Sequence, residues 1–222
     1  MRAFVIAMEC EAEAVRPWLK PDDRLTVCGI GKVNAAAATQ KAICEGATEI
    51  WNAGLCGGFG DDIEVGDVFG VEKAVEYDFD LAELNGTRIG QLNEYDTPYF
   101  AMSSVARGNG PRSSFSQSGQ ETASPFSGAQ ETASLLPHRI LATGDRFNDS
   151  ETDNALITKE LGATLRDMEG AAIAHVCTQN GIPCYSIKCV SDVAGRGSMT
   201  GQYEENKQRC LARLSAVMKE IL

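Results

Sequence analysis

The chain has 222 residues, 43% hydrophobic and 23% charged, which is length enough for one domain with a sizeable core. Its formal charge is −11, and no run of basic residues offers the dense patch a nucleic-acid binder needs, so a small-molecule partner is expected. The apolar start ends at Glu9 and no later stretch approaches about 20 apolar residues, which predicts a cytoplasmic protein with no signal peptide and no membrane span.

Taken in order, residues 3–7 read as a buried strand, followed by an acidic helix start at Glu9. Residues 25–28 form a second strand. After Gly29-Ile30-Gly31 comes an alanine-rich helix over about 33–44, stopped by Gly46. Residues 49–53 are the next strand, ending in a glycine-rich turn at 54–58, and 65–75 continue the sheet with Gly66-Asp67 as a turn. Residues 139–143 form a strand that leads into Gly144-Asp145-Arg146-Phe147. Ser150 N-caps a helix to about 161, with Asp153 at the capping-box position. A short strand at 164–166 precedes a helix of small residues from 168 to about 179, ended by Gly181 and Pro183. Residues 185–190 are a buried strand ending at Ser191-Asp192. Residues 203–222 form an amphipathic helix with Leu211, Leu214, Val217 and Met218 on one face. Strands alternating with helices predict βαβ units and a mainly parallel sheet.

Residues 103–134 break this pattern. They are rich in Ser, Gly and Gln, and Gln-Glu-Thr-Ala-Ser occurs twice, at 120–124 and 130–134. Such a composition buries too little apolar surface to offset chain entropy, so a mobile surface insertion in a single domain over 1–222 is expected, with a short helix where the second copy runs into Leu135-Leu136. The eight cysteines show no C-x-x-C or Cys/His cluster. They read as buried, reduced thiols, with no metal and no cofactor expected, and His175 as a packed or surface histidine.

Four acidic or polar groups follow predicted strands: Met8-Glu9-Cys10-Glu11, residues 54–58, Asp167-Met168-Glu169 and Ser191-Asp192. Ligands of open α/β sheets bind at the carboxyl ends of strands, so these groups should converge. Any one acid there is as readily a helix cap.

Seven motifs in order resemble the purine nucleoside phosphorylase superfamily: Ala7-Met8-Glu9-Cys10-Glu11, Gly29-Ile30-Gly31-Lys32-Val33-Asn34, Asn52-Ala53-Gly54-x-x-Gly57-Gly58, Val65-Gly66-Asp67, Gly144-Asp145-x-Phe147, Asp167-Met168-Glu169-Gly170-Ala171-Ala172-Ile173-Ala174 and Ser191-Asp192-Val193-Ala194. They look most like its 5′-methylthioadenosine/S-adenosylhomocysteine nucleosidase branch. The resemblance implies a single three-layer α/β/α domain with a central mixed, largely parallel sheet. It gives Glu11 the task of positioning and deprotonating water, and Glu169 that of holding the ribose hydroxyls, with Met168 packed on the sugar. Asp192 bonds purine N6 and protonates N7, Phe147 stacks on the base, and the Asn148 backbone reads its edge. Met8 and Ile30 line the 5′-alkylthio pocket, and Gly57, Ser191 and Lys188 count among the substrate-binding positions. The resemblance also implies a homodimer built around Leu81 and Leu84.

The implied chemistry needs this set. A carboxylate near the sugar stabilises the oxocarbenium-like charge, and a protonated acid at N7 neutralises the departing purine, which requires burial to raise the Asp192 pKa. A phosphate site would want arginine clamps, whereas Glu11 would repel phosphate and can activate water, which favours hydrolysis. Two alternatives stay open: a phosphate-dependent phosphorylase, and a nucleoside-binding homologue with little turnover. The latter is motivated by Leu55 where the family commonly has serine and Lys188 where it often has arginine, a change that loses the planar fork.

Overall fold

The computed structural model describes residues 1–105 and 136–222; both copies of the repeat, and Leu135 where the short helix was expected to begin, lie outside the described residues. The strands are β1 (Arg2–Ile6), β2 (Arg24–Val27), β3 (Glu49–Gly58), β4 (Val68–Glu76), β5 (Tyr99–Ala101), β6 (His138–Thr143), β7 (Leu165–Asp167) and β8 (Cys184–Val193). The helices are α1 (Glu9–Val15), α2 (Lys32–Cys44), α3 (Ala82–Asn85), α4 (Glu151–Ala155), α5 (Gly170–Asn180) and α6 (Met199–Ile221).

All eight strands join one mixed, largely parallel sheet. β1 pairs parallel with β2 and β3, β3 with β8, and β6 with β4 and β7. The β3–β7, β4–β5 and β4–β8 pairs are antiparallel. Side chains of β1 alternate between two cores, as the period of two dictates. Ala3 and Val5 join Ala35 and Ala42 of α2 and Ala171–Ala174 of α5 on one face. Phe4 and Ile6 join Ala12 and Val15 of α1 and Cys210, Leu214 and Met218 of α6 on the other. Helices therefore cover both faces, and β3 and β8 read as near-continuous buried runs for that reason. Truncating the fully buried Leu214 to alanine should cost about 2–5 kcal/mol of stability.

Several element boundaries differ from expectation. Residues 54–58 are not a turn but the second half of β3. Its glycines are dictated by crowding: a Cβ at Gly54 would lie 2.5 Å from Glu11 Oε1, and one at Gly58 2.7 Å from Ile63. Likewise Ser191-Asp192 lie within β8 rather than after it. Helix α6 starts four residues earlier than residue 203, because Ser198 Oγ accepts from the Gly201 N–H at 3.2 Å and caps it. Ser150 caps α4 as expected, but Asp153 does not complete a capping box; its carboxylate instead accepts from Asn148 and pairs with Arg146. α4 then gives way to a π turn, Leu156–Glu160.

All eight cysteines are free thiols; five are buried, Cys10 and Cys28 half-buried and Cys44 exposed, so burial holds for most rather than all. His175 is packed as expected, stacked on Phe100 and 3.1 Å from Glu76. No helix among the described residues is long and apolar enough to cross a membrane.

Candidate active site

A cavity of about 350 Å³ opens where the carboxyl ends of β1, β3, β7 and β8 meet the first turns of α1 and α6. Nine of the eleven expected site residues line it: Met8, Glu11, Ile30, Gly57, Phe147, Met168, Glu169, Ser191 and Asp192. Asn148 and Lys188 do not.

One end of the cavity is a network of acids around a single cation. Glu11, in the first turn of α1, is buried. Its Oε2 accepts from the Met8 N–H at 3.1 Å and its Oε1 from the Leu55 N–H at 2.8 Å, which fixes the carboxylate against β3. Burial raises its pKa, opposed by the Lys188 charge and those two N–H groups. Glu169 Oε1 accepts from the Gly31 N–H at 2.8 Å; burial and the Asp167 charge push its pKa up to about 7. Asp167 accepts from Thr143 Oγ1 at 2.6 Å and the Gly170 N–H at 2.9 Å.

Lys188, expected among the substrate-binding residues, does not line the cavity. It sits 2% exposed in the middle of β8, and its Nζ lies 2.8 Å from Asp167 Oδ2. Burial works against its charge, but Asp167, Glu169 and Glu11 outweigh burial and raise its pKa. It is a counter-ion beneath the cavity.

The other end holds Asp192 and the Arg166 guanidinium, which pairs with no carboxylate among the described residues. Asp192 is 1% exposed; Oδ1 accepts from Ser191 Oγ at 2.7 Å, while Oδ2 has no hydrogen-bond partner among the described residues. Burial pushes its pKa up to about 6, against the Ser191 bond and the Arg166 charge. That is the poise a general acid needs near neutral pH. Phe147 stands half-exposed at the cavity mouth, edge-on to Tyr203 with ring centroids 6.0 Å apart.

Asn148, whose backbone was expected to read the base edge, also stands outside the cavity lining. Its carbonyl accepts from Arg166 Nη2 and its Oδ1 accepts from Arg166 Nη1 at 3.2 Å. Arg166 itself lines the cavity and was missed in sequence, where it looked like the end of a short strand. Met199 and Tyr203 also line the cavity; Tyr203 Oη donates to Met8 Sδ at 3.7 Å. Met199 follows from the early start of α6, for which the Ser198 cap was the available signal, whereas Tyr203 already stood at the start of the expected helix. Among the described residues, no group of three or more His, Cys, Asp or Glu side chains is placed to hold a metal ion.

Comparison with known proteins shows what the chain is similar to. Residues 24–222 match the phosphorylase superfamily. The 5′-methylthioadenosine/S-adenosylhomocysteine nucleosidase of Treponema pallidum is 34% identical over 202 residues, 86% of this chain and 74% of that one. The aminodeoxyfutalosine nucleosidase of Campylobacter jejuni is 29% identical over 167 residues, 75% of this chain and 66% of that one. In fold, a Neisseria meningitidis 5′-methylthioadenosine/S-adenosylhomocysteine nucleosidase in complex with methylthio-immucillin-A superposes with a TM-score of 0.77 at 24% identity, covering 99% of this chain and 97% of that one. The chain belongs to the phosphorylase superfamily, in its 5′-methylthioadenosine/S-adenosylhomocysteine nucleosidase branch.

Proposed function

We infer that this chain hydrolyses the N-glycosidic bond of 5′-substituted adenosines, 5′-methylthioadenosine and S-adenosylhomocysteine among them, and releases adenine. The observation that carries the reading is the meeting of Glu11, Glu169 and Asp192, from three separated parts of the sequence, around one cavity.

Glu11, held by two backbone N–H groups and with its proton affinity raised by burial, takes a proton from the attacking water. Glu169 accepts from the ribose hydroxyls, and Met168 packs on the sugar. Ligand hydroxyls and developing positive charge at C1′ both favour the ionised form of Glu169, whose pKa of about 7 in the empty site drops when the nucleoside binds. Asp192, protonated, donates to N7 so that the purine leaves neutral. Phe147 supplies the ring that stacks on the base. Met8 and Ile30 face the 5′ substituent.

Water rather than phosphate is the nucleophile. The sugar end carries Glu11, Asp167 and Glu169 against one cation, and Lys188 is already engaged by Asp167, so a phosphate dianion would meet net negative charge. Incubation with 5′-methylthioadenosine in phosphate-free buffer should release adenine at the same rate as with phosphate. Release only with phosphate would make the protein a phosphorylase. Binding of an adenosine analogue without release would make it a nucleoside-binding homologue.

Ile30 is 51% and Leu84 78% exposed, and a second copy covering them would close the 5′ side, so we assign a homodimer with Leu81 and Leu84 in its interface. Sedimentation giving a monomer at micromolar concentration would contradict it. One domain and a cytoplasmic site of action fit the shared sheet and the free thiols.

A further inference from the structure

The base end of the cavity contains a buried cationic donor, Arg166. Arg166 on β7 and Asp192 on β8 are register partners of the same residue, Gly57 on the intervening β3, so their side chains flank a slot that exists because position 57 has none. A Cβ at Gly57 would stand 3.0 Å from Asp192 Oδ2 and 3.6 Å from Met199 Cε. Arg166 is 4% exposed and lines the cavity, yet no carboxylate pairs with it among the described residues. Its guanidinium has five N–H donors, and its hydrogen-bond acceptors are the Asn148 carbonyl, Asn148 Oδ1 and Met199 Sδ at 3.2 Å, the last a weak acceptor. Phe59 lies under it at 5.4 Å from the ring centroid. A buried, charged donor with a weak partner gains by meeting a better acceptor.

Two donors side by side, a protonated Asp192 and a guanidinium, match a purine edge that presents two acceptors. A 6-oxopurine offers O6 and N7 together, the pattern for which arginine is the commonest specific partner. Adenine offers N7 and an amino group, which is itself a donor and gives the Arg166 guanidinium nothing to donate to at position 6.

We propose that Arg166 is a base-specificity residue and that the site also hydrolyses 5′-substituted 6-oxopurine nucleosides, with Arg166 donating to O6 while Asp192 protonates N7. The proposal rests on the nucleosidase reading above. Water oxygen bonds C1′, the C1′–N9 bond breaks with its electron pair leaving on the purine, Glu11 takes the water proton and Asp192 supplies the N7 proton. Hypoxanthine and the free sugar are the products when the base is that of inosine.

The test uses 5′-methylthioinosine beside 5′-methylthioadenosine in phosphate-free buffer. The wild-type protein should release hypoxanthine with kcat/KM within about tenfold of that for adenine release. Arg166→Met should lower the 6-oxo to 6-amino ratio of kcat/KM by about tenfold, the loss of one arginine-to-base contact. Adenine release without hypoxanthine release, or a ratio unmoved in Arg166→Met, overturns the proposal and leaves the nucleosidase reading standing. Release of neither base sinks both. Because Arg166 also braces Asn148, the variant could fail to fold; competition of free hypoxanthine and adenine for the wild-type site then decides. Hypoxanthine inhibiting within about tenfold of adenine supports the proposal, and weaker inhibition contradicts it.

Discussion

The two ends of the cavity are built on opposite principles. At the sugar end, Glu11, Asp167 and Glu169 are tied to the N–H groups of Met8, Leu55, Gly170 and Gly31, and Lys188 compensates them from below. At the base end, Asp192 keeps an oxygen without a partner among the described residues and Arg166 directs a donor at a sulfur. The sugar end is preorganised for charge that appears only in the transition state. On the function proposed above, the base end gains its partners when a purine edge arrives. On that reading, the fixed carboxylates at the sugar end serve catalysis and the unmet hydrogen-bonding capacity at the base end serves recognition.

The largest effects should come from removing the proton-handling groups. Glu11→Gln and Asp192→Asn should each lower kcat by about 10²–10⁴-fold while both variants stay folded, read by adenine release and circular dichroism. Wild-type rates in either would remove that residue from the mechanism. Next, Lys188→Met leaves three buried acids without their cation and should destabilise the fold by about 3–5 kcal/mol, measured by urea unfolding; an effect below about 1 kcal/mol would show that the sugar end does not depend on its counter-ion. Gly57→Ala intrudes on Asp192 and should lower kcat/KM about tenfold with little change in Tm, since a small displacement at a reacting group is enough.

The smallest effect sharpens the contrast through pH. Glu169 has a folded pKa of about 7 against 4.5 unfolded, so its stabilising influence is complete below pH 4.5 and is lost as pH rises toward 7. Asp192, at about 6 against 3.8, acts in the same direction over a lower window. The ligand-free protein should therefore lose a few degrees of Tm between about pH 4.5 and 7, and Glu169→Gln should flatten the upper part of that slope. An unchanged slope in the variant would mean that Glu169 ionises normally.

Much of this was legible in the sequence. The runs around Val5, Ile50 and Ile187 gave the strands, the alanines after Gly31 and Gly170 gave helices thin enough to pack closely, and the acids after successive strands converge as the carboxyl-end rule requires. Glycine's poor strand propensity made residues 54–58 look like a turn, because the pressure that selects glycine there comes from Glu11 and Ile63, distant in sequence. Arg166 was invisible for a similar reason: its importance lies in sharing Gly57 with Asp192, a register that no local pattern encodes. Lys188 was placed in its strand without its partner Asp167, since an inward-facing lysine in an apolar strand implies a buried partner without saying which.

The division of labour is tested most directly by a substrate whose leaving group needs no proton, such as a 5′-methylthio-ribosyl 4-nitrophenol, assayed beside 5′-methylthioadenosine. Asp192→Asn should lose at least tenfold less rate on the nitrophenyl substrate than on the nucleoside, whereas Glu11→Gln should lose comparably on both. Equal losses on both substrates in Asp192→Asn would contradict the account, because that acid would then not be delivering its proton to the departing base.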